Sequence, residues 1–491
     1  MTVVAVARTV TDSGSTDDKE TPMTTAPDTL AATLAGQLRG PLVRAGDDDY
    51  DEARSLHNAM IDKRPALIAR CQDTADVIAA VRFAREAGLE IAVHGGGHSG
   101  AGLGSVDGGL VVDLSPMNGV DIDPETRHAT VQGGALLRDL DHAAHAFGLA
   151  TPAGIISTTG VGGLTLGGGH GYLSRRHGLT VDNLVSADVV LADGSVVTAS
   201  EDAHEDLFWA LRGGGGNFGV VTSFTFRLHP VATVFGGPTL WPLEAAGDVL
   251  RWYRDFQPSA PEDVYGFFAF LTVPPAPPFP EQLHLRKMCG IVWCCTGDTG
   301  QAAEALAAAV DEPATPALHG PHELPYPMLQ AAFDGLYPAG HQWYWRGDFV
   351  AELPDDAIAL HLEHAEKLPT MQSGMHLYPI DGAVHRVAAD ETAFGYRDAT
   401  WSMAIVGVDP DPANAARIRE WTVDYWEALH PYSMGGAYLN FMMDEGQERV
   451  RATYRGNYNR LAAVKASYDP DNLFHVNQNI RPAGRRETES A

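Results

Sequence analysis

The sequence is poor in positive charge. Its 34 lysines and arginines stand against 63 aspartates and glutamates, which gives a formal net charge of −29 at pH 7. A surface this acidic repels phosphate backbones and anionic lipid headgroups, so we expect neither nucleic acid nor membrane as a partner. The sequence also lacks an uninterrupted run of about 18 apolar residues, the length that a membrane-spanning helix needs.

Cysteine is scarce as well. The 491 residues include four cysteines, Cys71, Cys289, Cys294 and Cys295. Four cysteines in a chain of this length do not make a disulfide framework, and no second cysteine pair or nearby histidine completes a zinc site. We therefore expect reduced cysteines in the core, no metal site and a cytoplasmic protein.

The first 40 residues lack the pattern of a folded or targeted segment. They carry no secretory signal, and residues 9–28 are rich in Thr, Ser and Asp. We expect residues 1–40 to form a disordered tail. Met23 begins a second candidate start, so whether residues 1–22 belong to the native protein stays open.

Glycine, in contrast, is abundant. There are 52 glycines, and twenty of them lie in the stretches 95–110, 160–171 and 213–219. Clustered glycine without a repeat period indicates backbone that approaches another group closely. This pattern favours a protein that binds a large ligand or cofactor over a structural protein.

The glycine clusters match none of the common phosphate or nucleophile motifs. Residues 214–219 (GGGNFG) match G-x-G-x-x-G, but a predicted helix precedes them and a strand follows, the reverse of a dinucleotide-binding turn. No G-x4-G-K-[ST] loop and no G-x-S-x-G elbow occur. Residues 94–100 (HGGGHSG) instead expose successive backbone N–H groups, which suit a pyrophosphate where Lys and Arg are absent.

Hydrophobic periodicity predicts an α+β fold in the first half of the chain. A helix is expected between Asp73, which can cap it, and Gly88, which ends it. Asp193-Gly194 between two apolar runs predicts a β-hairpin. The other expected elements are the strands 89–94, 110–114 and 220–228 and the helix 201–212.

After residue 230 glycine becomes rarer and aromatic residues more frequent, which predicts a second α+β domain with helices on one side of an antiparallel sheet. The expected strands lie near 266–272, 288–296, 342–352, 373–379 and 401–407, and the expected helices near 300–310, 355–367 and 412–429. A last helix ends at Asp469-Pro470.

Three separated motifs resemble those of one family. Residues 95–99 (GGGHS) resemble the pyrophosphate loop, 157–169 (STTGVGGLTLGGG) the second flavin loop, and 457–480 the C-terminal signature of FAD-linked oxidases. The chain resembles the vanillyl-alcohol-oxidase / p-cresol-methylhydroxylase superfamily, and within it the berberine-bridge-enzyme-like branch, over residues 40–482. The resemblance implies the two-domain FAD-binding fold of the vanillyl-alcohol-oxidase type, with an antiparallel-sheet substrate domain.

By this resemblance residues 63–232 form the FAD-binding domain and residues 233–435 the substrate domain. Residues 436–482 then return to the FAD-binding domain. The function implied is that of an FAD-dependent oxidase that takes hydride from a C–H bond to flavin N5 and reduces dioxygen to hydrogen peroxide. The expected substrate is a small organic molecule, hydroxylated, sugar-like or a secondary metabolite. Two alternatives are a flavoprotein dehydrogenase or reductase with another electron acceptor, and a non-catalytic binding protein on the same fold.

The resemblance also implies the residues that hold FAD. His98 matches the histidine that is bonded to the flavin 8α-methyl group in the family. A second link through cysteine, which some members have, is not expected because Ile156 stands at that position, and His94 stands where the family often has arginine. The full set implied to contact the cofactor is Gly95, Gly96, Gly97, His98, Ser99, Thr158, Thr159, Gly162, Gly163, Gly168, Val221, Asn477 and Asn479.

The reaction needs a base that removes a substrate proton. Many relatives place a tyrosine where Phe441 stands, so this chain must supply the base from another position. The three candidates are Tyr344, Tyr378 and Tyr438. In a regular strand Tyr438 points away from Phe441. His341, Arg346, His376 and Tyr396 are further candidates.

Overall fold

The computed structural model describes residues 31–484. The first of its sheets has four strands in the order β1-β2-β4-β3. Strand β1 runs antiparallel to β2, whereas β2 and β3 both run parallel to β4. The strands are β1 (Leu42–Arg44), β2 (Leu67–Arg70), β3 (Ile91–His94) and β4 (Leu110–Asp113).

A helix over Thr74–Ala87 connects β2 to β3, as the sequence predicts. The Asp73 side chain accepts hydrogen bonds from the N–H groups of Ala75 and Asp76, and Gly88 ends the helix with φ of 64°. Burial of Val77, Val81 and their neighbours packs this helix on the first sheet. This packing positions the end of β3 relative to the first sheet, and the first glycine cluster begins directly after β3.

The second sheet is antiparallel, with five strands in the order β5-β6-β10-β8-β9. The predicted hairpin at Asp193-Gly194 joins β8 to β9, and the third glycine cluster leads directly into β10. The strands are β5 (Val120–Asp123), β6 (His128–Gln132), β8 (Leu184–Val190), β9 (Val196–Ser200) and β10 (Val220–Arg227), while β7 (Leu149–Ala150) pairs only with β11 (His229–Pro230).

The third sheet has eight strands, all antiparallel, in the order β15-β12-β14-β13-β18-β19-β17, with β16 paired to β12. Because side chains alternate along a strand, Phe268 and Phe270 join the core under the helices, whereas Phe267 and Ala269 lie on the other face. The strands are β12 (Thr233–Pro242), β13 (Val264–Thr272), β14 (Lys287–Cys295), β15 (Leu318–His319), β16 (His322–Pro325), β17 (Gln342–Val350), β18 (Gly374–Pro379) and β19 (Trp401–Asp409).

Helices cover one face of the third sheet, and the other face is turned toward the first part of the chain. The predicted α+β class and the antiparallel second domain with helices on one side are therefore confirmed. The remaining α-helices span Tyr50–Ala53, Leu137–His145, Val161–Leu166, Ser174–His177, Glu205–Leu211, Ala246–Ser259, Thr299–Ala309, Tyr326–Gln330, Asp355–Glu366, Ala415–Leu429, Gln447–Tyr454 and Tyr458–Tyr468.

The start of the folded chain differs from the expectation. Residues 31–35 are helical, and Leu34 is fully buried against the core of the first sheet. The expected disordered tail therefore does not reach residue 40, because apolar residues of this segment have a core to pack on. Strand β1 also precedes residue 63 and pairs with β2, so the first sheet begins before that boundary. Residues 1–30 lie outside the described residues.

All four cysteines are free and buried. Within residues 31–484 no group of three or more His, Cys, Asp or Glu side chains is arranged to hold a metal ion. None of the helices described is both long enough and apolar enough to cross a membrane.

A buried ion pair fixes the last segment. Lys465 and Asp469 are each 0% exposed, and Lys465 Nζ lies 2.6 Å from Asp469 Oδ2. Lys465 also donates to the carbonyl oxygens of Asn217 and Phe474, while Asp469 accepts from the backbone N–H groups of Leu473 and Phe474. The pair thus ties the last helix to the third glycine cluster and to the segment that follows.

We expect Lys465→Met to lower the free energy of unfolding by about 3–5 kcal/mol, because it leaves the Asp469 carboxylate buried without its cation. The double variant Lys465→Met/Asp469→Asn removes both charges and should lose less than the single variant. Urea unfolding followed by circular dichroism measures both losses. A double variant as unstable as the single one contradicts this role of the ion pair.

Candidate functional site

A cavity of about 300 Å³ lies between the glycine-rich loops and the inner face of the third sheet. All three glycine clusters of the sequence line it, although they are far apart along the chain. The C-terminal segment contributes Asn477 and Gln478. The cavity therefore combines residues that the sequence places in two domains and a returning segment.

Two of the glycine loops touch backbone to backbone. A Cβ added to Gly96 would lie 2.4 Å from the nitrogen of Gly160, and one added to Gly160 would lie 2.5 Å from the nitrogen of Gly96. Real Cβ atoms do not come this close to backbone, so only glycine fits at either position. This crossing brings the turn after β3 against the N-terminus of the helix Val161–Leu166.

The C-terminal segment closes the third cluster. Asn477 Nδ2 donates to the carbonyl oxygen of Gly216 at 2.9 Å. Asn217 donates to Gly214 at 2.9 Å and accepts from the N–H of Ile480 at 3.0 Å. Asn217 was not among the predicted residues, although it lies inside the GGGNFG motif that the sequence analysis examined.

His98 lies at the edge of the first glycine cluster. Its Nε2 is 3.0 Å from Thr158 Oγ1, and its ring stacks on that of His57, with centroids 3.9 Å apart and planes at 22°. Burial lowers the pKa of both imidazoles, that of His57 to about 4, so both rings are neutral at pH 7.

The inner face of the third sheet supplies an aromatic wall. Trp343 and Trp345 of β17 and His376 and Tyr378 of β18 line the cavity. Of the residues described, none that lines this cavity is Asp, Glu, Lys or Arg. Burial lowers the pKa of His376 to about 4, so this wall carries no charge at neutral pH.

His376 and Tyr378 form a hydrogen-bonded pair inside the cavity. His376 Nδ1 lies 2.6 Å from Tyr378 Oη. Burial raises the pKa of the phenol and lowers that of the imidazole, so the neutral pair is the stable form. A neutral imidazole next to a phenol is an arrangement that can accept a proton.

Tyr438 also lines the cavity, which the expected strand geometry did not allow. Leu439–Phe441 form a 3-10 turn instead of a strand, so Tyr438 and Phe441 both face inward, with ring centroids 4.9 Å apart. Tyr438 Oη accepts hydrogen bonds from the Gly169 N–H at 3.0 Å and from Asn440 Nδ2 at 2.7 Å. Both acceptor positions of the oxygen are filled, and burial raises the pKa of the phenol.

Tyr344 does not reach the cavity. Neighbouring residues of β17 point to opposite faces, so Trp343 and Trp345 face inward while Tyr344 lies against the helix Ala415–Leu429. Arg419 of this helix stacks on the Tyr344 ring at 5.4 Å. The prediction of Tyr344 as a candidate base was therefore wrong, because its side chain lies on the face of the sheet that the helices cover.

The further base candidates other than His376 lie outside the cavity lining too. Arg346 is paired with Glu445 at 2.7 Å, and Tyr396 donates to the carbonyl oxygen of Ala452 at 2.9 Å. His341 contributes its carbonyl oxygen to the N–H of Ala59 at 2.8 Å. The side chains of Arg346 and Tyr396 and the backbone of His341 thus make contacts between segments of the fold.

The structure brings most of the predicted cofactor residues together. The cavity lining includes Gly95, Gly96, Gly97, His98, Ser99, Thr159, Gly162, Gly163, Val221 and Asn477. Thr158 is not part of the lining, but its hydroxyl contacts the His98 ring. Gly168 is not part of the lining either and lies next to Tyr438, because a Cβ on Gly168 would be 3.5 Å from the tyrosine ring. Asn479 is not part of the lining, and its Oδ1 is buried without a hydrogen-bond partner.

Two further histidines, His94 and His170, lie beside the glycine loops. His94, which stands in the family's arginine position, packs its ring beside Gly97, and burial lowers its pKa. His170 lines the cavity, bonds Ser402 Oγ through Nε2 at 3.1 Å, and has a buried Nδ1 without a partner. His170 was not among the predicted residues, although it directly follows three glycines of the second cluster.

Comparison with known proteins agrees with this geometry. Residues 65–200 match a family model described as FAD binding domain, and residues 437–481 match one described as berberine and berberine like. An FAD-linked oxidoreductase of Dictyostelium discoideum is 31% identical over 453 residues, which cover 91% of this chain and 95% of that protein. The (R)-6-hydroxynicotine oxidase of Paenarthrobacter nicotinovorans is 32% identical over 476 residues, 93% of this chain and 99% of that one.

Among solved structures, glucooligosaccharide oxidase from Acremonium strictum, which has a 6-S-cysteinyl, 8α-N1-histidyl FAD, superposes with a TM-score of 0.80 at 26% identity. The match covers 92% of this chain and 99% of that chain. The residues of the cavity fit FAD, because glycines that admit no Cβ form its floor and His170, which lines it, keeps a buried Nδ1 without a hydrogen-bond partner. The chain therefore belongs to the berberine-bridge-enzyme-like FAD-linked oxidoreductases of the vanillyl-alcohol-oxidase superfamily, with FAD as its cofactor.

Proposed function

We propose that the protein is an oxidase that removes hydride from a C–H bond of a small hydroxylated organic molecule and passes the electrons to dioxygen. The observation that carries this proposal is the His376–Tyr378 pair on an uncharged aromatic wall opposite the glycine loops. When bound, FAD supplies the hydride acceptor and the route of the electrons to dioxygen. The protein must then bind the substrate, orient it and take up one proton.

Tyr378 is the residue to which we assign the base. For Tyr378 to accept a substrate proton, its own proton must leave, and His376 Nδ1 at 2.6 Å is placed to receive it. Because burial lowers the pKa of His376 to about 4, its imidazole is neutral at pH 7 and the Nδ1 lone pair is free for this transfer. Tyr438 is the less suitable base, because both hydrogen bonds described for its oxygen come from N–H donors, and neither partner can receive the proton of the phenol.

His98 is the residue to which we assign covalent attachment of the cofactor. Thr158 engages Nε2, which leaves Nδ1 as the ring nitrogen available for a bond. The side chain at the position of a second, cysteinyl link is Ile156, which lines the cavity and has no sulfur. These two features support a single histidyl link.

The lining supports an uncharged, ring-bearing substrate. Trp343, Trp345 and Phe441 offer flat apolar contacts, and a charged group would be buried there without an opposite charge. A hydroxyl group of such a substrate can pair with Tyr378, which lines the cavity. The relative that is named a hydroxynicotine oxidase and the one that is named a glucooligosaccharide oxidase support the same general class.

We further propose a cytoplasmic location, supported by four free cysteines.

The covalent link predicts that acid precipitation of the purified protein gives a yellow pellet and a mass gain of one FAD. His98→Ala should release all flavin to the supernatant, because it removes the bonding nitrogen. Protein precipitated after addition of free FAD is the control, since unbound FAD must stay in solution. A colourless wild-type pellet contradicts the role assigned to His98.

The uncharged wall predicts the substrate charge. We expect hydroxylated aromatics and neutral oligosaccharides to reduce the flavin under anaerobic conditions at least about 100-fold faster than their carboxylated analogues, because a buried carboxylate lacks a partner. Flavin absorbance gives the rates, and reoxidation in air tests the oxidase assignment. Flavin that stays oxidised with the whole panel contradicts the proposed function, and a preference for the anionic members contradicts the substrate class.

The proton acceptor predicts a low-pH limit. With the best substrate of that panel, Tyr378→Phe should slow anaerobic flavin reduction by about 10²–10⁴-fold. The wild-type rate should fall as the pH drops through about 4, where His376 gains a proton and can no longer accept one, and should be level between pH 5 and pH 8.

Tyr344→Phe is the matched control for Tyr378→Phe, because it removes the same hydroxyl from the opposite face of the sheet. Its rate should stay within about twofold of the wild type. Equal rates of the Tyr378→Phe variant and the wild type would exclude Tyr378 as the base.

A further inference from the structure

Three rings form a column beside the first glycine cluster. The His57 ring lies between those of His98, at 3.9 Å and 22°, and Trp343, at 5.0 Å and 44°. His57 is 7% exposed, so the column is buried on its sides. It joins a loop of the FAD-binding part to strand β17 of the third sheet.

The backbone around His57 is held from both directions. The His57 N–H donates to the carbonyl oxygen of Gly97 at 3.1 Å, and its carbonyl oxygen accepts from the N–H of Gly340 at 3.0 Å. The next residue, Asn58, donates from Nδ2 to Gly100 at 2.8 Å and to the Trp343 carbonyl at 3.0 Å. Asn58 Oδ1 accepts from the Trp343 N–H at 3.1 Å. The His57 backbone is thus bonded to Gly97, the residue before His98, while the adjacent Asn58 is bonded to Trp343.

We propose that His57 is a positioning residue for covalent FAD attachment: its ring holds the imidazole of His98 in the plane that bond formation requires. The proposal rests on the histidyl link proposed above. Thr158 fixes one edge of the His98 ring and His57 covers one face, so rotation about both side-chain torsions is restrained. A ring held in one orientation reaches the bonding geometry without first losing conformational freedom.

The attachment chemistry explains why the neighbour must be uncharged. The link replaces one C–H bond of the flavin 8α-methyl group and the N–H bond of His98 by an N–C bond. This exchange releases two protons and two electrons. The isoalloxazine ring accepts the electrons, and dioxygen takes up the two electrons and two protons as hydrogen peroxide. His98 must begin this step with a free nitrogen lone pair, and its ring gains positive charge as the N–C bond forms. A protonated His57 ring stacked at 3.9 Å would repel that charge, whereas a neutral His57 ring does not.

Two variants distinguish the role of the His57 ring from the role of its nitrogen atoms: His57→Ala removes the ring, and His57→Phe keeps a ring without nitrogen. Each purified protein is incubated with FAD in air and sampled over time, with covalent flavin measured in the acid pellet and non-covalent flavin in the supernatant. We expect His57→Ala to slow covalent attachment by about fivefold to tenfold while still binding FAD, because one stacked ring is lost. His57→Phe keeps a neutral ring and should restore attachment to within about twofold of the wild type.

A second histidine stack supplies the matched control. His177 and His229 stack at 3.8 Å and 17° away from the cavity lining, so His177→Ala removes an equivalent contact and should attach FAD at the wild-type rate. Attachment at the wild-type rate in His57→Ala overturns the proposal, and so does a His57→Ala protein that loses covalent and non-covalent FAD equally. A wild-type protein without covalent flavin instead refutes the link itself, which the wild-type sample reports separately.

Discussion

The contact between Gly96 and Gly160 is the constraint on which the cavity depends. One loop follows strand β3, and the other precedes the helix Val161–Leu166. The two loops meet at Gly96 and Gly160, where neither backbone has room for a side chain. Bringing two backbones this close leaves a floor made of peptide groups, and the N–H groups of that floor can bind an anion. The aromatic wall, the C-terminal segment and the His98 ring are all placed relative to this crossing.

This floor also resolves a difficulty raised by the net charge of −29. A strongly acidic protein must bind the doubly anionic pyrophosphate of FAD, and the cavity lining contains neither Lys nor Arg among the described residues. Peptide dipoles supply a favourable potential without adding a mobile cation. The same lack of charged side chains leaves the substrate side neutral, so one property of the lining serves both the cofactor and the substrate.

Local signals in the sequence were reliable where chemistry decides the conformation. Asp73 caps a helix that Gly88 ends, and Asp193-Gly194 forms the turn between β8 and β9. The glycine clusters and His98 also met in space as the family resemblance implies. These features follow from backbone freedom and hydrogen bonding within a few residues, which a single sequence displays directly.

The remaining errors concern relations between distant segments. Alternation along β17 puts Tyr344 and Trp343 on opposite faces, but only the packing of the helix Ala415–Leu429 on β17 decides which face is inward. The turn at Leu439–Phe441 and the neighbours of His57 likewise depend on contacts across hundreds of residues.

The bonds of Asn58 to Gly100 and Trp343 have a mechanical consequence. They join the first glycine cluster to strand β17 through one buried amide, so these two walls of the cavity cannot move apart without breaking hydrogen bonds of Asn58.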